Sequence, residues 1–274
     1  MKKIFVLVVA LALLAQPALA AAPQERPGRY APASEEAVED GLYNVEGQPN
    51  LKVKVHVYKQ DARGNNSQKP GSGETPLVLK CELADEASGS VIPSAGWHLP
   101  TTSPVSYRLN LSSVPANVDS ANLPTITERA FAVWSEASLG EVDFSRGNDT
   151  TVVRAQYDGQ NIVAWGRTSG RALAVTYTWY NTVTHQAVET DTIFNSNVTW
   201  AWANQLEAGK KNCAYENAYD AQNILVHELG HWMGLDDTYT SEFTENTMYG
   251  YGSRTEVKKN TLTEGDIAGT QGIY

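Results

Sequence analysis

The sequence predicts an α+β domain, and three observations predict it. Strand-like segments come early and in succession, at Ser106 to Leu111, Leu173 to Tyr180 and Ala187 to Asn195. A helical stretch with an apolar stripe interrupts them at residues 125–137. A second helical stretch, Asp220 to Met233, follows the strands. Mixed strands thus come first and this helix after them.

The elements follow in chain order. Residues 1–20 carry the marks of a secretory signal peptide: basic Lys2 and Lys3, an apolar run from Ile4 to Leu14, and small residues at Ala18-Leu19-Ala20. The run is too short to span a bilayer comfortably. Residues 21–42 are rich in Ala, Pro and Glu and predict little structure. From Leu51 to Tyr58, Leu51, Val53, Val55 and Val57 alternate with Lys52, Lys54, His56 and Tyr58, which predicts a half-buried strand. Ala62 to Pro76 reads as a loop or linker, and Pro76 to Leu83 as a second strand. Residues 21–95 thus form a small β-rich segment, either a propeptide or an extension of the main domain at 96–274.

Within that domain, Thr125 and Glu128 have capping-box spacing. Ile126, Ala130, Val133, Trp134 and Ala137 then line one face of the first helix. Glu141 to Ser145 and Thr150 to Tyr157 predict two strands with turn residues between them. In Asp220 to Met233, Ala221, Leu225, Leu229 and Trp232 form a core-facing stripe, and His227 and His231 lie on a different line.

Composition narrows the function. The 274 residues are 42% apolar with seven Trp, enough for a packed core. The formal net charge of −10 argues against nucleic-acid binding, and loss of Lys2 and Lys3 makes it more negative. After removal of the signal, no remaining stretch is apolar enough to cross a bilayer, so the mature chain is expected in solution outside the cytoplasm, as a monomer. Two cysteines, Cys81 and Cys213, fit a single disulfide in an oxidising compartment. The alternative is a Cys81 thiolate that blocks a metal.

The chemistry sits in Val226-His227-Glu228-Leu229-Gly230-His231-Trp232-Met233-Gly234-Leu235-Asp236-Asp237. Four residues apart on a helix, His227 and His231 share a face and can close on one zinc ion. Glu228 is held beside the metal without having to bind it, which suits a general base acting on water there. Gly234 can end the helix in a left-handed turn and let Asp237 return as third ligand. Asp236 reads as its solvated neighbour. The bare HExxH pentapeptide also fits an ordinary amphipathic helix with surface His and Glu; the extended spacing is more specific.

That extended pattern resembles the metzincin consensus HExxHxxGxxH with aspartate in the last position, a variant similar to that of snapalysin-type bacterial peptidases. Glu245-Asn246-Thr247-Met248-Tyr249-Gly250-Tyr251 resembles the metzincin Met-turn, which implies Met248 as an apolar floor under the ligands. Residues 130–135, Leu173 to Tyr180, Thr190 to Asn195 and the last helix, with Thr263 as its cap and Asp266 three residues on, resemble matrixins. The likeness covers roughly residues 95–274.

The resemblance implies a secreted zinc endopeptidase acting on proteins or peptides, with one zinc. It also implies that Leu173 to Tyr180 is a sheet-edge strand to which a peptide adds as a further strand. Tyr249 and Tyr251 are candidates to hold the oxyanion or substrate. His56, His98 and His185 are too scattered for a second zinc site and read as surface or satisfied histidines. Calcium through Asp191 and backbone carbonyls is the other cation expected. Two rival readings stand beside the peptidase. One is a zinc amidase or deacetylase working on a small or cell-wall substrate in a closed pocket. The other is an inactive secreted module stabilised by zinc.

Overall fold

The structure is a computed structural model that describes residues 39–61, 77–168, 171–204 and 212–274. The signal-like start and the linker at 62–76 lie outside the described residues, as does most of the 21–42 stretch. Among the described residues no helix is long and apolar enough to cross a membrane.

The described residues give twelve strands: β1 (Gly41–Val45), β2 (Gln48–Gln60), β3 (Leu79–Lys80), β4 (Val105–Leu109), β5 (Phe144–Arg146), β6 (Asn161–Gly166), β7 (Ala172–Asn181), β8 (Ala187–Asn195), β9 (Trp200–Ala201), β10 (Ala214–Tyr215), β11 (Tyr219–Asp220) and β12 (Tyr251–Gly252). The helices are α1 (Leu123–Ala137), α2 (Ala221–Trp232) and α3 (Glu264–Gln271). This is the α+β architecture expected. One mixed sheet runs in the order β1-β2-β7-β8-β6-β4-β5, and β12 also pairs with β2. β4, β5, β6 and β8 are parallel, and β7 runs antiparallel to both of its neighbours.

Two of its features depart from expectation. β7 is not an edge strand. β2 pairs with it from Leu51↔Asn181 to Lys59↔Ala172 and fills the position expected to be open. The 51–58 segment is therefore not only half-buried. Val53, Val55 and Val57 pack on one face with Val175, Tyr177 and Trp179. On the other face, His56 and Tyr58 are wholly buried against the helices. Alternation read from sequence separates two faces but does not say that both are covered.

Smaller departures have local causes. α1 begins at Leu123, with Pro124 in its first turn, so the Thr125–Glu128 capping box does not form. Residues 150–157 make no strand. Thr150 N donates to the Leu109 carbonyl oxygen, Val152 O accepts from the Asn110 side chain, and Gln156 N donates to the Asp191 carboxylate. The strand expected at 76–83 shortens to β3, and that at 141–145 shifts to β5. β3 pairs with β10, and Cys81 is joined to Cys213 beside that pair.

The main core lies between the sheet and the helices. Trp134 on α1, Leu225, Leu229 and Trp232 on α2, and Met248 all belong to it. The apolar stripe read along α2 faces this core. Burial extends around the whole helix, however, and includes both histidines.

Candidate metal centre

Helix α2 starts where Asp220 accepts a hydrogen bond from Asn223 N, a satisfied N-cap. It ends at Gly234, whose φ of +91° is the left-handed turn anticipated for that glycine. A Cβ at Gly234 would also lie 2.1 Å from the Trp97 carbonyl oxygen. Beyond this turn the chain doubles back, and Asp237 faces the two histidines. Asp237 Oδ1 lies 3.3 Å from His227 Nε2 and 3.7 Å from His231 Nε2. All three donors lie within 4.8 Å of one another. Asp236 turns elsewhere: its Oδ1 lies 3.0 Å from His56 Nε2, and its side chain is 40% exposed.

The histidines are held from behind. The Nδ1 of His227 lies 2.7 Å from the Thr247 carbonyl oxygen, and that of His231 lies 2.9 Å from the Leu235 carbonyl oxygen. With Nδ1 as the donor in each pair, each Nε2 keeps its lone pair turned into the site. Four buried atoms of these residues and Glu228 have no hydrogen-bond partner: Nε2 of His227, Nε2 of His231, Oδ1 of Asp237 and Oε1 of Glu228. Orphaned polar atoms in an interior cost stability, and a cation among them would remove that cost. Two imidazoles and a carboxylate are ordinary zinc donors, so the residues present fit the metal.

Electrostatics agree with that arrangement. Burial pushes the Glu228 carboxyl well above the usual carboxylate range. Burial also holds both imidazoles below their ordinary value, and His56 lowers His231 further. For Asp237, burial favours the neutral acid, but His231 and His227 outweigh it and keep the carboxylate ionised.

Sequence reasoning missed several residues here. Thr176 on β7 donates to Glu228 Oε2 at 2.6 Å. Thr192 on β8 lies 2.7 Å from Thr176 and accepts from Trp232 Nε1. Two threonines facing each other inside buried strands were the available signal. Tyr239 also escaped notice, and its hydroxyl donates to Asp237 Oδ2. Tyr249 and Tyr251, singled out from sequence, pack in a row of rings with Tyr239.

Met248 lies under the helix as expected. A Cβ on Gly230 would sit 2.1 Å from its sulfur. Asp191 spends both carboxylate oxygens on backbone amides, those of Gln156 and Ile162, and burial raises its pKa. Among the described residues, the triad is the one His/Cys/Asp/Glu group spaced to hold a metal.

β2 lies directly across this site. The His56 ring stacks on His231 at 3.7 Å between centroids and 3° between planes. The Tyr58 ring stacks on His227 at 3.9 Å. A stacked ring cannot be a fourth donor. Its plane is offset by more than the ~2.1 Å zinc–nitrogen length from the plane in which the His231 lone pair points. His56 is thus neither surface nor fully satisfied, since its Nδ1 is buried without a partner. His98 and His185 each place Nδ1 on a carbonyl oxygen, as expected of satisfied histidines.

Comparison with known families adds one decisive finding. The matrixin family profile matches residues 97–274. The chain belongs to the matrixin family. The match spans α1, the sheet from β4 onward, α2 and the Met248 turn, and it starts after β1, β2 and β3. No curated protein matches the chain. Matrixins are zinc-dependent peptidases, and His227, Glu228, His231 and Asp237 lie within the matched span.

Proposed function

We propose that this matrixin is an exported endopeptidase. His227, His231 and Asp237 hold its zinc, and Glu228 is its general base. The three unpartnered donor atoms of His227, His231 and Asp237, all within 4.8 Å of one another, support this most directly. Zinc held there would supply a Lewis acid. Glu228 would take a proton from the attacking water through Oε1 and pass it to the leaving amine. Thr176 fixes the other carboxylate oxygen, so the base does not rotate away from its proton.

The path of β2 favours a peptide over a small amide. β7 pairs with β2 antiparallel from Leu51 to Lys59, β12 pairs with it parallel at Lys59 and Gln60, and β1 of its own hairpin covers the same edge up to Val55. A site crossed by a strand paired over this length matches a polypeptide, not a compact substrate. It also means that the site is closed in this form, and a peptide reaches Glu228 only when β2 leaves. Export is supported by the leader-like start and by the Cys81–Cys213 bond.

The test uses the full, zinc-loaded chain with a specific protease site inserted between Gly71 and Ser72. Peptide cleavage should be weak before the cut, rise after it, and vanish with a chelator. Cleavage that survives metal removal would overturn the reading.

A further inference from the structure

We infer that Thr192 and Trp232 are positioning residues for Glu228, acting through Thr176 as a one-way line of hydrogen-bond donors. The inference rests on the reading of Glu228 as the general base.

The line joins one turn of helix to one rung of the sheet. Trp232 follows Glu228 by four residues, so the indole and the carboxylate leave the same face of α2. Thr176 on β7 lies opposite Thr192 on β8. The indole Nε1 is 3.0 Å from Thr192 Oγ1, and the two threonine hydroxyls are 2.7 Å apart. Thr176 Oγ1 is in turn 2.6 Å from Glu228 Oε2. All four side chains are wholly buried.

Chemistry sets the direction. An indole N–H only donates, and an ionised carboxylate only accepts. Each hydroxyl between them has one proton to give. Every proton finds an acceptor in one order: indole to Thr192, Thr192 to Thr176, Thr176 to Glu228. In the reverse order Thr192 would accept twice, and its own proton would have no place in the line, which is costly for a buried hydroxyl.

The consequence falls on the carboxylate. Thr176 alone could swing its proton from Glu228 to Thr192 and release the base. The Thr192 proton already occupies that side of Thr176, and the indole holds it there. Oε2 therefore stays engaged, and Oε1, which has no partner, stays turned to receive a proton. Trp134 provides the contrast. It is another buried indole against α2, but its Nε1 donates to the Val226 carbonyl oxygen and the contact ends there.

Packing and polarity predict opposite rankings of the same variants. Valine keeps the shape of threonine and loses the hydroxyl; serine keeps the hydroxyl and loses the methyl group. The test has two arms. In the first, the zinc-loaded chain, cut at the inserted site, is assayed on a peptide. Thr192→Val should lower kcat by roughly 10–100-fold, with KM and bound zinc little changed. Thr192→Ser should stay close to the native rate. Adding Trp232→Phe to Thr192→Val should lower kcat no further, since the line is already broken. A native rate in Thr192→Val would overturn the proposal. The second arm needs no catalysis and reads the indole N–H resonances of the uncut, zinc-loaded chain by NMR. Thr176→Val should move the Trp232 signal and leave that of Trp134 in place, and Thr176→Ser should leave both. A Trp232 signal that ignores Thr176→Val would overturn the proposal too. If this arm behaves as expected while the native chain cleaves no peptide, the line of donors stands and the peptidase reading fails.

Discussion

At the scale of single residues, the division of labour between neighbours is the sharpest claim. Glu228 and Asp237 are both buried carboxylates near the same point, yet their surroundings push them apart. Asp237 faces two imidazoles and stays ionised; Glu228 faces Thr176 and an apolar wall, and burial favours its proton. Glu228→Gln should keep about one equivalent of zinc by metal analysis and lose roughly 10²–10⁴-fold in kcat/KM. Undiminished turnover would remove it as the base. Asp237→Ala should weaken zinc retention by more than about a hundredfold, beyond what loss of a supporting residue usually costs. Asp236→Ala should leave retention nearly unchanged, because its carboxylate serves His56 and Lys54. The pair of dialysis measurements exchanges the two assignments if the outcomes are reversed. These ligands were legible in sequence because helical spacing and one glycine fix their geometry. Tyr239 and Thr176 were not, because their roles depend on which strand or loop lies opposite, and spacing along the chain does not encode that.

At the scale of elements, α2 shows what local pattern can and cannot carry. Its span, its core stripe and its glycine stop were readable from a 3.6-residue period and the conformational freedom of glycine. Its burial on every side was not, since that requires β2 above it and the Met248 turn below. Gly230 records the second contact. Gly230→Ala would push a methyl group into the Met248 sulfur and the Trp134 ring, and overpacking of this kind costs about 1–3 kcal/mol. A chemical denaturation midpoint unchanged by the substitution would contradict so close an approach.

The cap of the same helix gives a pH prediction. Burial raises the Asp220 carboxyl to about 7, against about 3.9 in an unfolded chain. A raised acid takes up a proton on folding between those values. Its contribution is therefore full below pH ~4 and is lost as pH rises through ~7. Asparagine caps equally well and does not titrate. The stability of Asp220→Asn relative to the native chain should therefore climb from pH 4 to pH 7. Urea midpoints at pH 4, 5.5 and 7 check this, and a constant difference would show that Asp220 is not a proton acceptor of the fold.

At the scale of the whole molecule, the stretch before residue 96 is not one unit. Sequence grouped residues 21–95 together because the resemblance to matrixins begins only after them. The structure separates them by how they are attached. Residues 88–95 are built into the body beside the metal centre. Ala95 N bonds to Gly234 O, Asp236 N to Pro93 O, and Ile92 N to Gly265 O. Asn246 reaches back to Ser90, and Cys81 is bonded to Cys213. These contacts shape the very turn that returns Asp237 to the histidines. The β1–β2 hairpin touches the rest mainly as a strand laid between β7 and β12. A chain starting at Leu77 should therefore fold, keep its disulfide and bind zinc, with the groove along β7 open. A chain starting at Gly96 keeps every proposed ligand and all of the matrixin match. It loses the disulfide, itself worth about 2–5 kcal/mol, and the strap behind Gly234. It should unfold at markedly lower denaturant and retain zinc poorly. Circular dichroism with metal analysis on the two truncations compares them directly. Equal stability would mean that residues 77–95 only decorate the fold; failure of the longer chain alone would mean that β2 belongs to the mature enzyme and that the groove is never vacated.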